Sequence, residues 1–298
     1  MRIGVIFPQT ELGGDVGAVR AYGQAAEALG YTHLLAHDHV VGADPAVHAG
    51  LAGPYDVSTT FHEPFVMFGY LAAVTSIELV TGIIILPQRQ TALVAKQAAE
   101  VDLLTQGRFR LGVGLGWNPV EYEALGQPFD QRGRRLSEQI EVLRRLWTET
   151  SITHTGTFDT ITGAGIAPLP IQRPIPIWIG GMSDPAYRRI GRLADGWFPG
   201  VPPDENLQRA LEIIGAAARE TGRDAGSIGM EGRVSWTPAD PDPFSRQVEE
   251  WRQVGATHLT INTMYTGQTT VDDHIAAIEH AAGLIDIRAQ AQTTQVER

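Results

Sequence analysis

Residues 176–199 read PIWIGGMSDPAYRRIGRLADGWFP: a short apolar run, a glycine turn, an amphipathic stretch and a second apolar run. Ile177–Ile179 carries consecutive β-branched and aromatic residues, as a strand buried on both faces does. Gly180 and Gly181 free the backbone for a tight turn, Ser183 or Asp184 can cap, and Pro185 suits a first helical turn. The unit is therefore strand, turn, helix, strand, the repeat of a parallel α/β protein.

The same alternation runs outward in both directions. Strands are expected at Ile3–Phe7, His33–Ala36, Leu79–Ile85, Phe109–Val113, Ile177–Ile179, Gly196–Phe198, Gly229–Trp236 and His258–Ile261. Helical spacing of apolar residues falls at Val16–Leu29, Glu63–Thr75, Ala92–Thr105, Gln131–Trp147, Pro185–Ala194, Asp204–Thr221, Phe244–Val254 and Val271–Ile287. Eight of each predicts an α/β fold, a closed (β/α)₈ TIM barrel occupying residues 1–298 as one domain. An open Rossmann-type sheet is the rival arrangement.

Length agrees, since 298 residues is near the roughly 250 of such barrels. Zero cysteines exclude disulfides and thiolate chemistry, and a net charge of −11 disfavours a nucleic-acid partner. No apolar run approaches the roughly 18 residues that span a bilayer, and a cytoplasmic location is expected. Two segments exceed the plain repeat: the long loop Val40–His62 after strand two, and residues 148–174, whose alternating ITHTGTFDTIT suggests an inserted hairpin. Both are expected to close a substrate pocket. The polar tail 289–298 is expected to be loose.

In a barrel, chemistry sits where strands end, which gives a short list of sites. Strand two ends in His37-Asp38-His39. Imidazoles titrate near neutrality and suit proton transfer, while an H-x-H pair can also open a metal site. A metal would need ligands at other strand ends, yet strands five, six and eight end at Gly180, Pro199 and Asn262; no metal site is predicted. Strand four runs into GVGLGWNP (112–119), where glycines admit a planar ligand or a phosphate. The dinucleotide fingerprint G-x-G-x-x-G fails in both registers, at Trp117 and at Pro119. The Gly180–Ser183 turn opens a helix and favours phosphate. Arg188, Arg189 and Arg192 read as a solvated face or as partners of an acidic cofactor tail.

Together these segments resemble the bacterial luciferase-like monooxygenase superfamily, in its branch using the deazaflavin coenzyme F420. The matching residues are RIGVIFP at the N-terminus, HDH after strand two, TGIIILP in strand three, GRFRLGVGLGWNPVEYEALG around strand four and PIWIGGMSDPAYRRIGRLADGW around strands five and six. The match runs from Arg2 to about Pro199, and none of these motifs separates deazaflavin from FMN.

The resemblance implies a non-proline cis peptide at Ile83–Ile84 supporting the cofactor ring. It places Asp38 and His39 beside the reactive ring as catalytic residues, with His39 as proton donor or acceptor. Gly116, Trp117 and Asn118 would run along the ring edge, and Gly180, Gly181, Met182 and Ser183 would take the phosphate. Some deazaflavin dehydrogenases of the family carry a carboxylate where this chain has Trp117, which weakens a sugar-phosphate dehydrogenase reading. His62 and Glu63, opening helix two, are candidate substrate contacts. A homodimer is the family expectation. Two alternatives are an FMN-dependent monooxygenase fed by a separate reductase and a metal-dependent barrel hydrolase built on His37 and His39. A third is a cofactor-binding relative without catalysis.

Overall fold

The structure is a computed structural model in which residues 1–51, 53–237, 241–285 and 287 are described. Eight parallel barrel strands form, all within a residue or two of the expected ranges: β1 (Arg2–Ile6), β2 (His33–Ala36), a third strand in two pieces, β3 (Glu78–Thr81) and β4 (Ile84–Ile85), then β5 (Phe109–Gly114). A two-stranded hairpin, β6 (Ile152–Thr155) and β7 (Thr160–Ala164), interrupts the series, and β8 (Ile177–Gly181), β9 (Gly196–Pro199), β10 (Gly229–Ser235) and β11 (His258–Asn262) complete it. β1 pairs with both β2 and β11, and β3 pairs with β5, so the sheet closes into a (β/α)₈ barrel.

The helices are α1 (Gln9–Leu12), α2 (Val16–Leu29), α3 (Pro64–Ala72), α4 (Thr91–Leu104), α5 (Pro119–Ala124), α6 (Arg132–Thr148), α7 (Asp184–Leu193), α8 (Glu205–Glu220), α9 (Pro241–Gln253) and α10 (Val271–Leu284). Their apolar faces and the outward strand residues form one continuous core, with Trp147, Trp197 and Trp236 fully buried in it. No helix among the described residues is long and apolar enough to cross a membrane. The tail 289–298 lies outside the described residues.

The lower lumen is ionic rather than aliphatic. Arg110 donates to Glu78 at 2.7 Å and to Glu231 at 2.8 Å, and its guanidinium lies 4.4 Å from the Trp178 ring centre. Glu231 also receives His33 at 2.9 Å and the Thr260 hydroxyl. Burial raises the Glu231 carboxyl, but these cations and donors outweigh it and hold it well below the ordinary carboxylate range. The network plugs the barrel beneath the strand ends where a ligand would sit.

Strand three departs from expectation at one point. Its cis peptide joins Gly82 to Ile83, one residue earlier than the resemblance implied. The pairing explains the shift: β3 follows β2 as far as Thr81, and the ladder resumes with Ile84 against Val113. Gly82 and Ile83, the two residues joined by the cis peptide, are left out of the register. The hairpin also differs in role. Glu138 accepts the N–H groups of Thr157, Phe158 and Asp159, seating the hairpin on α6. No residue of 148–174 lines either cavity described below.

Candidate active site

At the C-terminal strand ends lies a cavity of about 620 Å³, within the usual range for a cofactor or ligand site. Leu35, Ile83, Ile179 and Phe198 give it apolar walls, and Glu231 and Thr260 form its floor. The glycines are steric requirements. A Cβ on Gly114 would stand 2.5 Å from the Ile83 side chain. Gly116 has φ +63°, and a Cβ there would stand 2.9 Å from Ile85. Ile83 can therefore bulge into the lumen only because β5 ends in glycine.

A second chamber, of about 430 Å³, adjoins the first and shares His37, Gly82, Ile83, Gly116, Trp117 and Arg233 with it. The loop after β2 supplies Pro54, Tyr55 and Phe61 to its wall, so that loop does cover a pocket. The His39 ring lies 3.7 Å from Tyr55 and 4.7 Å from Phe61 between centres, and Tyr55 meets Trp117 at 5.1 Å.

His39 is held by a residue the sequence did not single out. Its Nδ1 stands 3.3 Å from Oε2 of Glu121, a fully buried carboxylate on α5 that also accepts the Tyr55 hydroxyl and the Val40 N–H. Burial raises the Glu121 carboxyl, but the hydrogen bonds from His39 and Val40 prevail and hold it below its ordinary range. An ionised carboxylate only accepts, so Nδ1 carries the hydrogen. Nε2 makes no hydrogen bond among the described residues and is left for a ligand.

The neighbouring residues are committed elsewhere. Asp38 is 2% exposed; it accepts Arg89 at 2.8 Å and the Ile85 N–H at 3.3 Å. Burial pushes its carboxyl above the ordinary range, and Arg89 offsets only part of that rise. Asp38 thus anchors the end of strand three, although one edge faces the second chamber. His37 contacts the Gly82 carbonyl through Nδ1, and burial pushes its ring down to about 4, so it is neutral at pH 7.

Several expected contacts take structural positions. Ile84 is a ladder residue and lines neither cavity, whereas Ile83 lines both. The Asn118 side chain caps α5 through the Val120 N–H at 3.0 Å and is fully buried. His62 reaches the Gly13 carbonyl at 3.0 Å. Glu63 caps α3 and pairs with Arg89 at 3.1 Å, and neither His62 nor Glu63 lines the chambers. No group of three or more His, Asp or Glu among the described residues is arranged to hold a metal.

The Gly180–Ser183 turn does line the larger cavity, together with Arg132 and Arg189 on the neighbouring helices. Ser183 is the N-cap of α7, yet its side chain makes no capping bond. Arg189 turns inward and donates to the Ser137 hydroxyl at 3.0 Å, and burial lowers its pKa. Arg132 rests on Phe129, 3.7 Å from the ring centre, with its Nε buried and unpartnered. Neither guanidinium has a carboxylate partner among the described residues. A helix N-terminus beside two uncompensated cations is a site for a phosphate-bearing group. The apolar slot behind it fits a planar ring, and Trp117 Nε1, buried without a partner, is a spare donor in its wall. The residues therefore fit a flavin-type cofactor.

The family described as luciferase-like monooxygenase matches residues 1–297. An uncharacterized protein of Mycobacterium tuberculosis is 36% identical over 207 residues, covering 67% of this chain and 71% of its own length. An FMNH(2)-dependent dimethylsulfone monooxygenase of Pseudomonas putida is 29% identical over 224 residues, covering 74% of this chain and 58% of its own. Among solved structures, an F420-dependent secondary alcohol dehydrogenase in complex with an F420–acetone adduct superimposes with a TM-score of 0.74 at 16% identity, over 95% of this chain and 98% of that one. That likeness is one of fold. With a match spanning nearly its whole length, the chain belongs to the luciferase-like monooxygenase family.

Proposed function

We propose that the chain is an oxidoreductase that uses coenzyme F420 to move a hydride to or from a small organic substrate, with His39 carrying the accompanying proton. The observation that carries this reading is the pair of adjoining chambers, one with an anion cradle and one walled by His39 and aromatic rings. When bound, the deazaflavin supplies the carbon that gives or accepts the hydride.

The chain's own residues have four tasks. Gly180–Ser183, Arg132 and Arg189 hold the phosphate. Ile83, Gly114 and Gly116 shape the slot for the ring. His39 Nε2 takes the proton released when an alcohol becomes a carbonyl and returns it in the opposite direction. Tyr55, Phe61 and Trp117 keep water from the reacting face. Asp38 contributes by fixing strand three rather than by transferring a proton.

A second reading, reduced FMN used to activate oxygen and supplied by a separate reductase, is favoured by the likeness to the FMNH(2)-dependent monooxygenase of Pseudomonas putida. The two divide on one experiment. Anaerobic bleaching of oxidised F420 by members of an alcohol panel supports the deazaflavin reading. Oxygen consumption with reduced FMN and no reaction with F420 overturns it.

A further inference from the structure

The second chamber contains a cation that no carboxylate among the described residues neutralises. Glu231, Arg233 and Ser235 alternate up the inner face of β10, so all three look into the lumen. Arg233, which like Ser235 is exposed at the barrel mouth, lines both chambers and a third, outer hollow of about 450 Å³, and it forms no hydrogen bond or ion pair among the described residues.

The described carboxylates near it are held by other groups or form no pair with it. Glu231, two residues below, is held by His33, Arg110 and Thr260. Asp38 is held by Arg89. Glu250 borders only the outer hollow and forms no ion pair with Arg233. His37, the nearby imidazole, is kept neutral first by burial and further by the charge of Arg233. The rest of the chamber is apolar or neutral: Tyr55, Phe61, Ile85 and Met264, with Ser235 and Asn262 beside the arginine. The Ser235 hydroxyl receives Asn262 at 3.4 Å and keeps its own hydrogen to donate.

We infer that Arg233 with Ser235 is a subsite for the carboxylate of an organic substrate whose apolar body lies among the aromatic walls. A guanidinium takes a carboxylate in a two-pronged, charge-assisted geometry, and the apolar walls beside it hold the substrate body. Resting on the two-chamber reading above, this narrows the substrate to one carrying an anionic end away from the reacting carbon.

Ligand-observed NMR titration of the full chain with hexanoate and its amide isostere, hexanamide, tests it with no cofactor present. The carboxylate should bind at least about tenfold more tightly, a difference worth about 1.4 kcal/mol. Arg233→Gln should level the two ligands, and Arg233→Lys, which keeps the charge without the fork, should keep part of the preference. In parallel, F420 and FMN affinities of Arg233→Gln should match the wild type within about twofold. Equal binding of the two ligands by the wild type, or a preference surviving in Arg233→Gln, overturns the subsite. Loss of cofactor affinity in Arg233→Gln also overturns it and assigns the arginine to the cofactor. Failure of the wild type to bind either cofactor removes the redox reading but leaves the carboxylate comparison scored on its own.

Discussion

Glu121 Oε2 stands 3.3 Å from His39 Nδ1, and the two residues reach each other from the ends of different barrel strands, after β2 and after β5. The carboxylate fixes which imidazole nitrogen carries the hydrogen and which faces the chamber. Glu121→Gln can satisfy the same neighbours without the charge. Turnover should fall at least about tenfold and the pH profile of the remaining rate should move, while cofactor affinity stays put. His39→Ala should lower turnover by about 100-fold or more. Steady-state rates across pH check both, and an unchanged rate in His39→Ala would indicate a binding protein instead of an enzyme.

Asp38 and Arg89 form a buried pair at 2.8 Å, with 1% and 13% of their side chains exposed. Asp38→Ala leaves a guanidinium without its main partner and frees the Ile85 N–H. Unfolding by urea should show a loss of about 3–5 kcal/mol. A loss below about 1 kcal/mol would mean that Asp38 is not an anchor.

These two carboxylates show what could be read from the sequence. The strands and most helix ends were legible because burial on both faces of a parallel sheet and glycine at the turns leave local signals. His37, His39, Trp117 and the Gly180–Ser183 turn were legible because strand ends form the barrel mouth. Glu121 sits in the first turn of α5, where an acidic residue ordinarily complements the helix dipole, so nothing local marked it. Arg132 and Arg189 lie on helices, and only the packing of α6 against α7 shows which arginine of each run turns inward. Likewise, Asp38's partner lies 51 residues away, a distance no motif spans.

Acid should destabilise the fold in two stages. Burial holds His37 down at about 4 and His258 down at about 2, the latter with help from the charge of Arg110. Unfolded chains protonate histidine near 6.5. Between these values the unfolded state binds protons that the folded state refuses, so stability falls as pH drops below about 6.5. His37 is half-buried, so solvent screens it in part, and its share is about 1–3 kcal/mol by pH 4. Glu231 is depressed, so its contribution is present above the ordinary carboxylate value and is lost as pH falls further. Chemical denaturation from pH 7 to pH 3 should show both stages, and His37→Asn should shrink the first.

Gly114→Ala places a Cβ 2.5 Å from Ile83, so the bulge or the strand must shift. Cofactor affinity should fall about tenfold or more, because the shift narrows the slot. A fluorescence titration that matched the wild type would show that Ile83 does not border the bound ring.

A fluorescence titration of the purified wild-type chain with oxidised coenzyme F420 and, separately, with FMN is the most direct test of the whole account. It expects saturable binding of F420, weakened at least about tenfold in Arg189→Gln or Arg132→Gln by loss of a charge-assisted contact, with FMN binding more weakly. Saturable binding of FMN alone would contradict the choice of cofactor, and binding of neither would contradict the redox reading itself.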